Sequence, residues 1–358
     1  MKVFAHLREV SGEESLFAGY IREVLGAQCS SIGMDFWCGS NLTELRMVPG
    51  NYPDAVIGTS DTAFGLFGQY PDALKILWLS RPHPEQVRTL LAKEVKRLKG
   101  MGLSEFVPKS YPLPHVLERD IQVMRKADVF LCSNGALLQS LSRFAPRALR
   151  RAVYFPWYSR DIPRWLIEIW GRLVDRPFVP LSRRANMVYA YEADFIRNRQ
   201  VTQAHIIEEV QKCLGDNHRV SYFRKTGTLN ITGVLAYLNV AKLHCSIPVY
   251  DPLDLMSTFA LCLGVPILIG PGSGMYEAVK FSHSFPLPSL EEGDIKRVVS
   301  RLAAYFRYKG MQRAFSGDLF RAIQCWPSTE SVALNLFHII QEKMACRKTV
   351  QHQPPKSA

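Results

Sequence analysis

The sequence predicts an α/β protein of two doubly wound domains that face each other across a cleft. Three observations carry this. The chain has 358 residues, more than one hydrophobic core ordinarily spans. Short apolar runs alternate with amphipathic helical stretches in both halves, the pattern of parallel sheets covered on two faces. The alternation breaks once, at the Pro-, Trp- and Arg-rich stretch 157–184, and then restarts. The reading divides the chain into a first domain over 1–165, a linker over 166–184 and a second domain over 185–345. The tail over 346–358 has no periodic pattern and is expected to be disordered.

In the first half, MKVFAHL opens the chain as a strand, and Ser11 to Glu14 has capping-box spacing for a helix reaching about Leu25. DAVIGTS (54–60) and ALKILWLS (73–80) are apolar runs that end in small polar residues, as buried parallel strands do at their C-terminal edge. Stretch 84–100 places Val87, Leu90, Leu91 and Val95 on one face and basic residues elsewhere, an amphipathic helix. Helix 115–126, strand 127–134, helix 136–145 and strand 151–156 complete the half, and 157–184 holds one short helix. The second half repeats the order with strand 186–194, helix 201–215, strand 218–224, helix 232–241 and strand 242–249. Helices are expected again over 291–306 and 331–344.

Composition bounds the function. With 47% hydrophobic and 21% charged residues, the chain is expected to be soluble and globular. No apolar run reaches the roughly 20 residues of a membrane span, and the N-terminus lacks a signal-peptide profile. The eight cysteines form no CxxC pair, so no metal is predicted, and buried free thiols in a reducing cytoplasm are expected. The net charge is +12, spread as −5 over 1–74, +10 over 75–176 and +7 beyond. A basic middle section points to an anionic partner: phosphate groups, a membrane surface or nucleic acid. A well-solvated basic surface is the plain alternative.

The most informative stretch is DPLDLMSTFALCLGVPILIGPGSGMYEAV (251–279). Asp251 opens it, a helix follows from Leu255 to Leu263, and Gly264-Val265-Pro266 ends that helix, glycine by turning left-handed and proline because it cannot continue. The strand Ile267–Ile269 leads to a Gly-rich loop (270–274) and to Glu277 in the first turn of another helix. Such a loop is expected to leave backbone N–H groups free for an anion.

The order acid, helix, Gly-Val-Pro, strand, Gly-rich loop, Glu resembles the donor-binding segment of nucleotide-sugar-dependent glycosyltransferases of the GT-B fold, especially the retaining family 4 group. The likeness extends in order over about 50–310: His83 just past a strand, ADVFLCS (127–133), VYFPWYSRDIP (153–163) and VLAYLNVAKLHCSIPV before the donor segment. It implies two Rossmann-like domains across a cleft and transfer of a sugar from a nucleotide-diphosphate sugar to an acceptor hydroxyl, retaining and metal-independent, with no cofactor beyond that co-substrate. It implies His83 and Asp251 at the reaction centre, and Gly272, Ser273, Gly274 and Glu277 on the donor sugar and phosphates. Arg197, Arg199 and Lys225 become candidates for the diphosphate clamp, and His6, Ser11 and Gly12 for the acceptor side. Two departures stand out. The family's second glutamate, which binds ribose, falls on Phe259, and its Gly-Arg…Lys motif is absent, with YEADFIRNR (191–199) in its place.

The same residues have plain readings. A lone Asp before a helix is an N-cap, Gly272–Gly274 a turn, Glu277 a first-turn acid, His83 a surface loop residue, and Arg197 and Arg199 solvated charges. Trp165 and Trp170, beside the basic stretches 84–100 and 143–151, suit either an anionic membrane face or packing across the domain interface. A carbohydrate or lipid-linked acceptor is expected, with DNA the lesser candidate. The rival functions are a nucleotide-sugar epimerase and a degenerate domain that binds a sugar, nucleic acid or protein without catalysis. The expected location is the cytoplasm, with peripheral contact to an anionic membrane.

Overall fold

The computed structural model describes residues 1–7, 18–39, 52–60, 62–102, 114–174, 179–192, 200–215, 218–226, 231–251, 253–279 and 284–351. Among these, eleven strands form two all-parallel sheets. The first, in order β2-β1-β3-β4-β5-β6, joins β1 (Lys2–His6), β2 (Asp35–Gly39), β3 (Ala55–Thr59), β4 (Leu74–Trp78), β5 (Val129–Cys132) and β6 (Ala152–Tyr154). The second, in order β11-β10-β9-β7-β8, joins β7 (Met187–Glu192), β8 (Ser221–Thr226), β9 (Leu243–Ser246), β10 (Ile267–Ile269) and β11 (Phe285–Pro286). The winding direction reverses between β1 and β3 and between β7 and β9. In open α/β sheets ligands bind beyond the carboxyl ends of the strands at such reversals.

The strands alternate between two apolar layers. On β3, β4 and β5, Ile57, Ile76 and Leu131 enter one core while Val56, Leu77 and Phe130 enter another. On the second sheet Tyr189, Ile267 and Ile269 join that same first core, and Val188, Leu243, Cys245 and Leu268 form a third. One apolar core therefore runs through both sheets. Phe155, Trp157, Trp165, Leu166 and Trp170 belong to it and are buried, as packing across the interface requires. Trp165 and Trp170 are consequently not available to a membrane face.

The chain departs from the sequence reading in five places. The first helical segment does not stop at Leu25: a π-helical turn (Ile21–Leu25) runs on into an α-helix (Gly26–Ser31). The strand β2 and the helix Ala63–Gln69 were not anticipated, both being short and glycine-containing. The helix Lys309–Gln324 carries Gly310 and Gly317, which lower helix propensity by about 1 kcal/mol each. Burial of Phe315, Leu319 and Ile323 along one face overrides that. The last helix runs from Thr329 to Gln351, past the expected start of the tail. It returns to the first sheet, where it packs on the Gly26–Ser31 helix and on β4.

Its start is held from a distance. Asp161 Oδ2 accepts from the Thr329 amide and hydroxyl, both at 2.8 Å, and Ser159 Oγ lies between Tyr20 Oη and Thr329 Oγ1, at 2.9 Å from each. All eight cysteines are free, and Cys29, Cys132, Cys245 and Cys262 are buried, in line with the expected buried thiols. No described helix is long and apolar enough to cross a membrane.

His244, at the centre of β9, is fully enclosed. Its Nδ1 lies 3.0 Å from the Tyr189 carbonyl and donates to it, and its Nε2 has no hydrogen-bond partner among the described residues. Burial pushes its pKa down to about 4, so the folded ring is neutral. Below the ordinary value of about 6.5 the unfolded chain then binds the extra proton, and stability falls as pH drops from there toward 4. Replacing His244 by Phe should flatten this dependence: comparing urea unfolding at about pH 7 and about pH 4.5, the native protein should lose roughly 2–3 kcal/mol more than the variant. Parallel losses in the two proteins would contradict the assignment.

Candidate functional site

The site is built on the connection from β9 to β10. From Ser246 to Tyr250 every residue is buried, so the polar groups of this segment must find partners within the protein. The helix Leu255–Cys262 that follows is buried along its whole length. Its N-cap is Asp254, whose Oδ1 accepts from the Ser257 amide at 3.2 Å. Asp251, read from the sequence as a possible cap, instead accepts the Asp254 amide on its Oδ1 at 2.9 Å, which shapes the turn leading into the helix.

The helix ends as the sequence predicts. Gly264 has φ +71°, and the amides of Gly264 and Val265 return to the carbonyls of Leu261 and Ala260 at 2.9 and 2.8 Å. β10 then leads into the glycine turn. The amide of Gly270 donates to Ser246 O at 2.9 Å, and that of Ser273 to Gly270 O at 3.1 Å. The turn is stitched to the acid ahead of the helix: Asp251 N donates to Gly272 O and Gly274 N to Asp251 O, both at 2.7 Å.

This corrects the expected cradle of free amides. The N–H groups of Gly270, Ser273, Gly274, Met275 and Tyr276 are all engaged within the chain, and Gly272 alone of the turn's amides makes no hydrogen bond among the described residues. The turn is seated tightly against the protein: a Cβ on Gly272 would stand 2.6 Å from Val249 O and nearer still to Pro248 O.

Beneath the turn lies the Asp254 carboxylate. Its Oδ2 accepts from Ser246 Oγ at 3.1 Å and from Ser273 Oγ in a short hydrogen bond, and Ser273 Oγ in turn accepts the Met275 amide at 3.0 Å. Burial raises the pKa of this carboxyl, against the lowering effect of its hydrogen bonds to Ser273, Ser257 and Ser246. Asp254 and Ser246 are the residues that sequence reasoning missed. The signal for Asp254 was present, since an Asp directly before an apolar helical run is the N-cap pattern. Nothing local marks Ser246.

On the first sheet, His83 caps the helix Pro84–Gly100. Its Nδ1 accepts the Glu85 amide at 3.3 Å, which leaves the ring proton on Nε2. The ring stacks on Phe144 (centroids 5.7 Å apart, planes 7° apart), and burial lowers its pKa, keeping it neutral. Val87 and Leu91 of this helix pack with Leu117 against Val249 and Tyr250, which run directly into Asp251. The helix that His83 starts and the glycine turn are thus joined through one apolar cluster. His6 ends β1, next to the reversal of the first sheet, and its carbonyl accepts from Thr62 Oγ1 at 2.6 Å.

The remaining candidates are less defined. Lys225 lies on β8 opposite Tyr191, and Glu277 in the short helix Tyr276–Val279. Arg197, Arg199, Ser11 and Gly12 lie outside the described residues. Phe259, where the resemblance expects an acid, is fully buried and packs edge-on against Trp157 at 6.3 Å. No group of three or more His, Cys, Asp or Glu side chains able to hold a metal ion occurs among the described residues. An open groove of about 670 Å³, lined by Glu23, Gln28, Trp165, Glu168 and Arg172 among others, includes none of the candidate residues.

No family model matches the chain, and no curated protein matches it in sequence. Solved structures match it in fold along nearly its whole length. Sucrose-phosphate synthase from Thermosynechococcus elongatus superposes with a TM-score of 0.58 at 11% identity, covering 97% of this chain and 100% of that one. WaaG, a glycosyltransferase involved in lipopolysaccharide biosynthesis, gives 0.57 at 11% identity, covering 95% and 99%. An α-glucosyltransferase in complex with UDP and a 13-mer DNA containing an HMU base gives 0.52 at 8% identity, covering 95% and 99%. At such identities the likeness is one of fold, and the fold is GT-B.

Two outcomes test this geometry. Gly272→Ala should cost about 1–3 kcal/mol or more, because the new methyl meets backbone oxygens that cannot rotate away; an unchanged melting temperature would show that the turn is loosely seated. His83→Ala should cost about 1 kcal/mol through loss of the cap, and His83→Asn should recover most of it, since Asn also accepts the amide. Equal losses from both, measured by urea unfolding at about pH 7, would remove the capping role.

Proposed function

We propose that the protein transfers a sugar from a nucleotide-diphosphate sugar to an acceptor hydroxyl, with retention at the anomeric carbon and without a metal. One observation carries the reading: the end-to-end match in fold to glycosyltransferases. The glycine turn, seated at the carboxyl edge of the second sheet, gives that fold a local site.

The chemistry requires a leaving diphosphate to be neutralised, a sugar to be held by its hydroxyls and an acceptor oxygen to approach the anomeric carbon. Arg197, Arg199 and Lys225 are the candidates for the first task, since preorganised cations act where charge develops. The Gly272 N–H, Asp251 and Glu277 are the candidates for the second. Neutral His83, with its ring proton on Nε2 at the start of the first-sheet helix, is the candidate donor to either substrate. The acceptor is read as a carbohydrate or a lipid-linked sugar, with DNA behind them.

A second reading is favoured by Phe259: a carboxylate expected beside the nucleotide ribose is replaced by a buried ring. On that reading the chain binds a nucleotide sugar, or another ligand, without turning it over.

Incubation with UDP-, GDP- and ADP-linked sugars, followed by mass spectrometry, separates the two. The transferase should release nucleoside diphosphate from one of them, slowly by hydrolysis and faster with acceptor. Combined replacement of Arg197, Arg199 and Lys225 by Ala should lower that rate by about a hundredfold, the typical loss when a group that stabilises transition-state charge is removed. Binding without turnover would favour the module, and neither binding nor turnover with any donor would count against both.

A further inference from the structure

We infer that Asp254 is a positioning residue for the glycine turn, fixing residues 270–274 where, on the reading proposed above, the activated sugar is bound. Asp254 occupies a left-handed backbone conformation, φ +39°, and is the sole non-glycine residue with positive φ among the described residues. That conformation is unfavourable for an ordinary L-residue. It is also buried, and enclosing a carboxyl group is costly unless its oxygens are satisfied. Glycine would remove the first cost, and any short polar residue would serve as a cap. The choice of Asp therefore needs a further reason.

The hydrogen bonds supply it. A cap needs only the bond from the Ser257 amide. The other oxygen collects the hydroxyls of Ser246, eight residues back at the end of β9, and Ser273, nineteen residues ahead inside the turn. Three buried hydrogen bonds converge on this one side chain, and together they offset the backbone cost. The carboxylate thus ties the carboxyl end of β9, the helix start and the glycine turn to one point.

The same residue also orients Asp251. The Asp254 amide is held by Asp251 Oδ1, and the Asp251 backbone is bonded on both sides to the turn, at Gly272 O and Gly274 N. Displacing Asp254 would move Asp251 and Gly272 together, which are the donor-side groups, and leave the first-sheet residues in place.

The discriminating variant is Asp254→Gly. Glycine adopts the left-handed conformation without strain and caps a helix nearly as well. A residue that merely turns the chain or caps the helix is therefore replaced by Gly without consequence. A positioning residue is not: the amides of Gly274 and Met275 should exchange hydrogen about tenfold faster, and the tightest-binding of UDP, GDP and ADP should bind about tenfold more weakly, as expected for loss of buried hydrogen bonds. Asp254→Asn, which can accept from the Ser257 amide and still bond both hydroxyls, should restore most of both. Ser273→Ala leaves the cap intact but itself removes the acceptor of the Met275 amide, so the faster exchange it should reproduce is read at Gly274; if Asp254→Gly does not fold, Gly274 exchange and nucleotide affinity in this variant decide the matter.

Exchange and affinity both within about twofold of the native protein in Asp254→Gly would overturn the inference, that being well under the loss of one such bond. Should the native protein bind none of the three nucleotides, the proposed donor site falls, and the exchange of Gly274 and Met275 alone still decides whether Asp254 positions the turn.

Discussion

The second lobe is organised by one constraint: a helix buried on every side cannot give its end groups to water. Helix Leu255–Cys262 solves this at both termini. Asp254 places its carboxyl group at its N-terminal end, where Oδ1 accepts the Ser257 amide. At the other end Arg184, itself buried, donates to Leu263 O at 3.2 Å and also to Leu238 O and Ala241 O, which close the helix Ile231–Val240. Burial lowers the guanidinium pKa to about 10, so it remains a cation at neutral pH. An acid satisfied by one amide and two hydroxyls, and a guanidinium satisfied by backbone carbonyls, thus never touch each other, and two helices and the glycine turn take their positions from them.

That arrangement fixes how the lobes meet. Phe259 projects from the same helix onto Trp157, in the segment that leaves the first sheet, and the apolar core continues without a break into Tyr20, Trp165 and the last helix. Each such aromatic contributes about 2–3 kcal/mol through burial, more than an exposed ion pair between lobes would. Polar ties add direction to this unspecific attraction: Ser159 and Asp161 grip Thr329, so the last helix starts at a defined point before returning to the first sheet. The lobes are also joined on the side of the glycine turn, where Val249 and Tyr250 meet Val87 and Leu91. His83, at the start of that helix, is consequently oriented by the same packing that carries the segment into Asp251.

Phe259 shows what an altered motif means physically. A carboxylate at a position with no exposure, facing Trp157 and the shared core, would carry the full desolvation penalty with no partner present. The ring instead strengthens the contact between lobes. A ribose contact, if the site makes one, must come from another element.

Much of this protein is legible in its amino-acid order. The parallel strands are marked by apolar runs ending in small polar residues, and the Gly264-Val265-Pro266 stop is marked by backbone chemistry that acts within three residues. The burial of Trp165 and Trp170 agrees with packing across the domain interface, one of the two readings their surroundings allow. The helix Lys309–Gln324 is hidden because its glycines argue against the state that packing imposes. The capping role read for Asp251 belongs instead to Asp254, three residues on, and the amides expected to face a ligand are bonded to Asp251, Ser246 and Gly270.

The difference has one physical cause. Backbone preferences are set by a residue and its immediate neighbours, so the sequence by itself determined most of where the chain is extended, helical or turned, with β2 and the helices Ala63–Gln69 and Lys309–Gln324 as exceptions. A buried polar group must bond whatever converges on it, and the hydroxyls that meet Asp254 come from eight residues behind and nineteen ahead. Only the tertiary structure decided that meeting, because it depends on two strands and a helix arriving at one place.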